Sequence, residues 1–182
     1  MKVTKTDFPD LLILEPAVFK DSRGYFFESY NAAVLTAHQI DIVFVQDNQS
    51  RSSYGVVRGL HYQNAPYAQT KLIRVISGVI LDAVVDLRKE SPMYGKSFCI
   101  TLSAENNLQL LIPKGFAHGY SVLSETAEVM YKCDAFYNKQ AEGSIQMNDP
   151  SLIIDWKIAA TDQIISEKDL LSPLFADSVH QF

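Results

Sequence analysis

The sequence predicts an all-β protein, an antiparallel sandwich or barrel, with only a few short helices at its periphery. Three observations carry this expectation. Ten short runs rich in β-branched and aromatic residues follow one another along the chain. Turn signals such as DSRG, SG, SAENN and PKG separate them at the regular spacing of sandwiches and barrels. Helical signal is confined to NAAVLTAHQI at residues 31–40 and SEKDLLSP at residues 166–173.

Taken in order, LLILEP (11–16) opens the strand region, and DSRG leads into YFFESY (25–30). After the first helical segment come IVFVQD (42–47), VVRGLHYQ (56–63) and KLIRVIS (71–77), which SG separates from VILDAVVDL (79–87). KSFCITL (96–102), LQLLIP (108–113), GYSVL (119–123) and EVMYKC (128–133) complete the set. No internal repeat, low-complexity tract or Pro/Ser linker interrupts the chain. One domain over residues 1–182 is therefore expected, with a strand core at about 10–136 and a tail with short helices at 150–182.

Composition narrows the function classes. With 47% hydrophobic and 20% charged residues, the chain is long enough to bury a substantial core and argues against disorder. A formal net charge of −5 provides no general attraction to nucleic acid or to an anionic membrane. The N-terminus lacks the apolar core of a signal peptide and no 18-residue apolar run occurs, so a soluble, cytoplasmic protein is expected. Cys99 and Cys133 lie far apart without CxxC spacing and read as small core residues.

Successive side chains on a strand point to opposite sides, which sorts the polar residues by face. In KLIRVIS, Lys71 shares its face with Ile73 and Val75, a costly place for a lysine unless a partner waits there. His118 lines up with Phe116, Tyr120 and Val122, and Tyr131 with Val129 and Cys133. Three strands thus each aim one polar group along an otherwise apolar face. Arg58 and His61 are an odd number of residues apart and should diverge, but a bulge at Gly59 would bring both to one side.

Among the four histidines, His38 and His180 stand without chemical company. His61 shares its strand with Arg58 and Gln63, and His118 shares its own with Tyr120. A metal would need three or four converging ligands, yet HYQ stands where an HxH pair would serve and Lys71 lies where a carboxylate would help. A metal is disfavoured. Arg23, Arg51, Arg58, Arg74 and Lys71 read either as a solvated basic surface or, at Arg23 and Arg58, as groups that capture phosphate oxygens bidentately. Asp169 also admits two readings. Ser166 caps a helix and Asp169, three positions on, completes a capping box, the reading that spacing alone favours. In the other, its carboxylate holds the Nδ1 proton of a histidine.

These residues sit in longer runs that resemble one family, the dTDP-4-dehydrorhamnose 3,5-epimerases. The resemblance extends from LILEPAVFKDSRGYFFESYN through FVQDNQSRS, VVRGLHYQ, KLIRVISGVILDAVVDLRKESPMYGK, LSAENNLQLLIPKGFAHGYSVLSETAEVMYKC and NDPSLIIDW to SEKD. PKGFAH also resembles the second motif of the cupins, the jelly-roll superfamily to which those epimerases belong. The resemblance implies a cupin-type antiparallel jelly roll acting on a dTDP-4-keto-6-deoxyhexose without metal or cofactor, commonly as a homodimer with strands exchanged or packed between subunits. It implies His61 as the base that removes the proton beside the 4-keto group, with Asp169 orienting it. Lys71 resembles the group that stabilises the enolate oxygen, and Tyr131 the acid that delivers a proton on the opposite face, chiefly at C5. Arg23, Glu28, Gln46, Asp47, Asn48, Arg58, His118, Glu142 and Lys168 match positions that contact the nucleotide sugar, with arginines at the diphosphate.

The residue types suit that chemistry independently of the name. A proton beside a ketone becomes removable when an ammonium stabilises the developing enolate in a water-poor site. Histidine titrates near neutrality and suits the base, while tyrosine is protonated at pH 7 and suits the acid. Two departures from the family pattern bear on substrate fit: Thr70 stands where glycine precedes the lysine, and Met147 stands where tryptophan is common. Rival readings are an epimerase that inverts C3 alone and a non-catalytic sugar-nucleotide-binding cupin. The alternate face of KLIRVIS, with Leu72 and Ile76, belongs either to a subunit interface or to the chain's own packing.

Overall fold

The computed structural model describes residues 1–182. Most of the runs with period-two apolar character become strands of two antiparallel sheets, numbered in chain order. The larger sheet is ordered β1 (Lys2–Lys5), β2 (Leu12–Glu15), β10 (Gln109–Ile112), β7 (Lys71–Ser77), β12 (Thr126–Cys133), β5 (Gln46–Ser53). The smaller is ordered β13 (Glu142–Ser144), β6 (Val57–Gln63), β11 (Phe116–Val122), β8 (Val79–Asp86), β9 (Ser97–Ser103). Apart from both sheets, β3 (Phe19–Asp21) and β4 (Gly24–Phe26) form a separate hairpin. Ile73, Val75, Leu110 and Val129 from the larger sheet meet Ile80, Val84, Phe116 and Val122 from the smaller, closing the antiparallel jelly roll around one core.

Each sheet's outer face is covered by a different part of the chain. Helix α1 (Ala32–Ala37) starts at Asn31, whose side chain accepts a hydrogen bond from the Val34 N–H at 3.3 Å. Its Leu35 packs onto Leu14, Leu72 and Leu111, so Leu72 is buried by its own chain. Each such leucine contributes roughly 2 kcal/mol when fully buried. On the other side, Ile145 and Met147 after β13, with Leu152 and Trp156 of the C-terminal tail, cover Val57, Leu60, Ala83 and Val85 of the smaller sheet. The tail also carries helix α2 (Glu167–Leu170) to the edge of β6. No helix is long and apolar enough to cross a membrane.

Several expectations need correction. IVFVQD does not form the expected strand over its length: residues 42–44 lie outside the sheets, with Ile42 and Phe44 tucked against the α1 cluster, the Val45 N–H donates to the Cys133 carbonyl at 2.8 Å, and the strand begins at Gln46. Their alternation is satisfied by packing on a helix instead of by a sheet face. The strand β5 that follows, QDNQSRSS, shows no apolar alternation because it borders a polar cavity. β1 (KVTK) and β13 (EGS) are short and polar and escape the pattern entirely. Cys133 is buried as expected, but Cys99 lies on the exposed side of the edge strand β9.

β6 and β11 make the close approach that positions the site. Their ladder pairs His118 with His61 and Tyr120 with Arg58, so three steps on β6 answer two on β11. This is the expected bulge at Gly59, whose φ is +119°. A Cβ on Gly59 would lie 2.6 Å from the Gly119 Cα, and one on Gly119 would lie 2.5 Å from the Arg58 carbonyl oxygen. Only glycine fits at either position. Gly119→Ala is expected to lower stability by about 2 kcal/mol, the usual scale of overpacking; a urea midpoint equal to wild type would show that the strands have slack.

Candidate active site

At one end of the jelly roll the apolar core gives way to a cavity of about 530 Å³ lined by Arg58, His61, Lys71, His118, Tyr131, Lys168 and Asp169. Because β6 is bulged, Arg58 and His61 face it together. A second space of about 340 Å³, reached by Gln46, Asn48 and Glu142, shares His61, Lys71 and Tyr131 as walls. The two form one cleft with those three residues at its waist.

His61 and Asp169 form a dyad. The His61 Nε2–H donates to Asp169 Oδ1 at 2.7 Å, and the Gly59 N–H lies 3.4 Å from Oδ2. Both readings of Asp169 hold in part: Ser166 does cap α2, its hydroxyl accepting from the Asp169 N–H at 3.1 Å, but the carboxylate is spent on the histidine instead of closing a capping box. The expected atom differs too. Asp169 holds Nε2 and not Nδ1, so Nδ1 is the nitrogen left without a protein partner. Burial by itself would raise the Asp169 carboxyl, but the His61 hydrogen bond and charge, with the Gly59 and Ser166 contacts, outweigh it and hold the group below the usual carboxylate range.

A parallel pair lies deeper, where His118 Nε2 donates to the fully buried Asp82 Oδ1 at 2.7 Å. Lys71 has neither a hydrogen bond nor a carboxylate within 4 Å; the Tyr131 ring centroid lies 5.9 Å from its ammonium. Burial pushes the Lys71 ammonium down, and the nearby Cys133, Asp82 and Glu142 only partly oppose this. Burial likewise pushes the Tyr131 phenol up, with Cys133 and Tyr120 adding to the shift and Arg58 opposing it. At the rim, Lys168 donates to Glu142 Oε1 at 2.6 Å and the Tyr137 hydroxyl donates to Oε2 at 3.2 Å. No group of three or more His, Cys, Asp or Glu side chains converges as a metal site would require.

Three sequence-predicted residues are not brought into this cleft. Asp47 alternates with Gln46 and Asn48, so it points outward and pairs with Lys132 at 3.0 Å. Arg23 sits in the exposed hairpin turn and pairs with Asp21 at 2.6 Å, and Glu28 accepts from the Asn31 side chain at 3.2 Å. Three others went unnoticed in the sequence: Ser50, Gln69 and Tyr137 reach the cleft from a polar strand or from loops, where no alternation betrays them. Neither family departure lines the cleft with His61, Lys71, Tyr131 and Asp169. Met147 is buried under the smaller sheet, where its carbonyl accepts from the Trp156 indole N–H at 2.9 Å, and is no cavity wall. Thr70 faces away from Lys71 and borders a separate groove.

The dyad has a pH signature. A carboxyl held below its unfolded value stabilises the fold fully above about pH 4 and loses that contribution as pH falls through the lowered value. Asp169→Asn is therefore expected to cost about 1–2 kcal/mol in urea unfolding at neutral pH. The gap should narrow as pH falls below the usual carboxylate range and through the lowered value; a gap that stays constant would show that the carboxylate charge is not what His61 engages.

Comparison with known proteins finds one family over nearly the whole chain. The family model for dTDP-4-dehydrorhamnose 3,5-epimerase matches residues 5–177. The curated dTDP-4-dehydrorhamnose 3,5-epimerase of Shigella flexneri is 49% identical over 179 residues, covering 98% of each chain. Among solved structures, the dTDP-4-dehydrorhamnose 3,5-epimerase of Elizabethkingia anophelis superposes with a TM-score of 0.93 at 53% identity, covering 97% of each chain. The 3,5-epimerase of Legionella pneumophila, solved in complex with dTDP-4-keto-L-rhamnose, gives 0.92 at 42% identity, covering 97% of this chain and 93% of that one. By sequence and by fold, the chain belongs to the dTDP-4-dehydrorhamnose 3,5-epimerase family.

Proposed function

We propose that this chain inverts C3 and C5 of dTDP-4-dehydro-6-deoxy-D-glucose to give dTDP-4-dehydro-L-rhamnose, with His61 as base, Lys71 as enolate stabiliser and Tyr131 as acid. One observation carries the assignment of roles. His61 stands on the smaller sheet and Tyr131 on the larger, so base and acid face a bound sugar from opposite walls of one cleft. Inversion requires that opposition, because the proton must leave one face of the ring and return to the other.

The steps follow from the groups present. Nδ1 of His61 takes the proton from the carbon beside the ketone, while Asp169 stabilises the imidazolium through Nε2. Electron density moves to the C4 oxygen, where the desolvated and unpaired Lys71 ammonium meets it. Tyr131, kept protonated by burial, returns a proton from the far side. Arg58, His118 and Lys168 then face the sugar and diphosphate in one lobe, and Gln46, Asn48 and Glu142 line the other.

We infer further that the chain works as a homodimer. Hairpin β3–β4 pairs with neither sheet and exposes Phe19 and Phe26 at 66% and 68%. A two-stranded hairpin is marginal by itself, so a second copy is the natural support. Seated there, it would carry Arg23 and Glu28 toward a cleft that they do not reach in their own chain. The protein is read as one domain acting in the cytoplasm.

NMR of the substrate in deuterated water tests the chemistry. Wild type should exchange both C3 and C5 protons, whereas His61→Asn should remain folded and lose at least ~100-fold of the exchange. Lys71→Met should lose roughly 100- to 1,000-fold at both carbons, and Tyr131→Phe should keep C3 exchange while losing inversion at C5. Exchange at C3 alone in wild type would indicate the mono-epimerase, and none at either carbon would indicate a binding protein.

A further inference from the structure

We infer that Ser144 and Ser172 form a clasp that positions Asp169 against His61, an inference that rests on the reading of those two as the catalytic dyad. Asp169 rides on a helix of only four residues, too short to hold its place by its own hydrogen bonds. Two side-chain ties join this part of the tail to β13. Lys168 donates to Glu142 at 2.6 Å, and the Ser172 hydroxyl donates to the Ser144 hydroxyl at 2.9 Å. The two anchor residues on β13 are two apart and so point to the same side of the strand.

The register gives the second tie its consequence. In the β13–β6 ladder Ser144 is the partner of His61, and the Ser172 N–H donates to the Asp169 carbonyl at 3.3 Å. The clasp therefore closes a ring: His61 backbone to Ser144, Ser144 to Ser172, Ser172 to the Asp169 backbone, and Asp169 carboxylate back to the His61 ring. The two serines lie outside the cleft lining, so they act through the dyad and are positioning residues.

The two ties are not equivalent. The Lys168 side chain is 61% exposed, so its ion pair is screened by water and salt. It also borders the cleft, where a substrate phosphate would compete for the ammonium. Ser172 is buried, and its hydroxyl bond stays intact when Lys168 turns to the substrate.

Ser172→Ala and Ser144→Ala, assayed in the full-length enzyme, should each lower kcat roughly five- to tenfold, the effect of one neutral hydrogen bond, with KM unchanged. Ser144→Thr, which keeps the hydroxyl, should restore the rate. In an Asp169→Asn background neither serine change should matter further, because the group being positioned is gone. A carboxyl-carbon NMR titration of the ligand-free protein gives a readout independent of activity: Asp169 should titrate higher in Ser172→Ala as its contact with His61 loosens. An unchanged Asp169 titration, an unchanged kcat, or an equal loss in the Asp169→Asn background would overturn the clasp. Absence of any exchange by wild type would instead defeat the dyad reading, and the titration would still decide the clasp.

Discussion

The contact between Gly59 and Gly119 is the constraint on which the rest of the site depends. Two backbones cross where neither has room for a Cβ, and the shorter path on β11 forces β6 to bulge. The bulge turns Arg58 and His61 to the same side, against the parity of their positions. It also places His61 between His118 on β11 and Ser144 on β13, its partners in the two flanking ladders. Every contact made by the dyad starts from that placement.

Ionisable groups inside a jelly roll are costly, and here nearly all of them are compensated. His61 has Asp169, His118 has Asp82, Arg58 donates to Ser52 at 3.1 Å, and Glu142 has Lys168. The Lys71 ammonium has no such partner. It is desolvated, without a hydrogen-bond partner, and opposite Cys133 in the ladder. In the proposed reaction, an uncompensated ammonium in such surroundings would gain most from an anionic oxygen that appears only during turnover, which is the condition for favouring a transition state over a bound ketone.

The two outer coverings serve the site unequally. Helix α1 buries the outer face of the larger sheet and contributes nothing to the cleft. The tail does both: it seals the smaller sheet with Leu152 and Trp156 and then delivers Ser166, Lys168 and Asp169 to the cleft. The dyad is therefore assembled from residues 108 apart in sequence and forms only when the tail has packed.

Much of this was legible before the structure. Lys71, His118 and Tyr131 stand out as polar groups on apolar faces, because strand alternation is local and a buried face tolerates few substitutes. The all-β class followed from the same alternation, and the resemblance of long runs supplied the roles. Residues 42–45 and the strand β5 that follows them depart from the expected pattern for one reason: alternation reports a boundary between apolar and polar surroundings, not the presence of a ladder. By itself the sequence determined the strand class, the faces of the central strands and the family. Only the tertiary structure decided that Asp169 holds Nε2 of His61, that Asp47 turns away, and that Arg23 and Glu28 lie beyond their own chain's cleft. Those outcomes depend on register, on the Gly59 bulge and on where the tail lands, each set by contacts between distant segments.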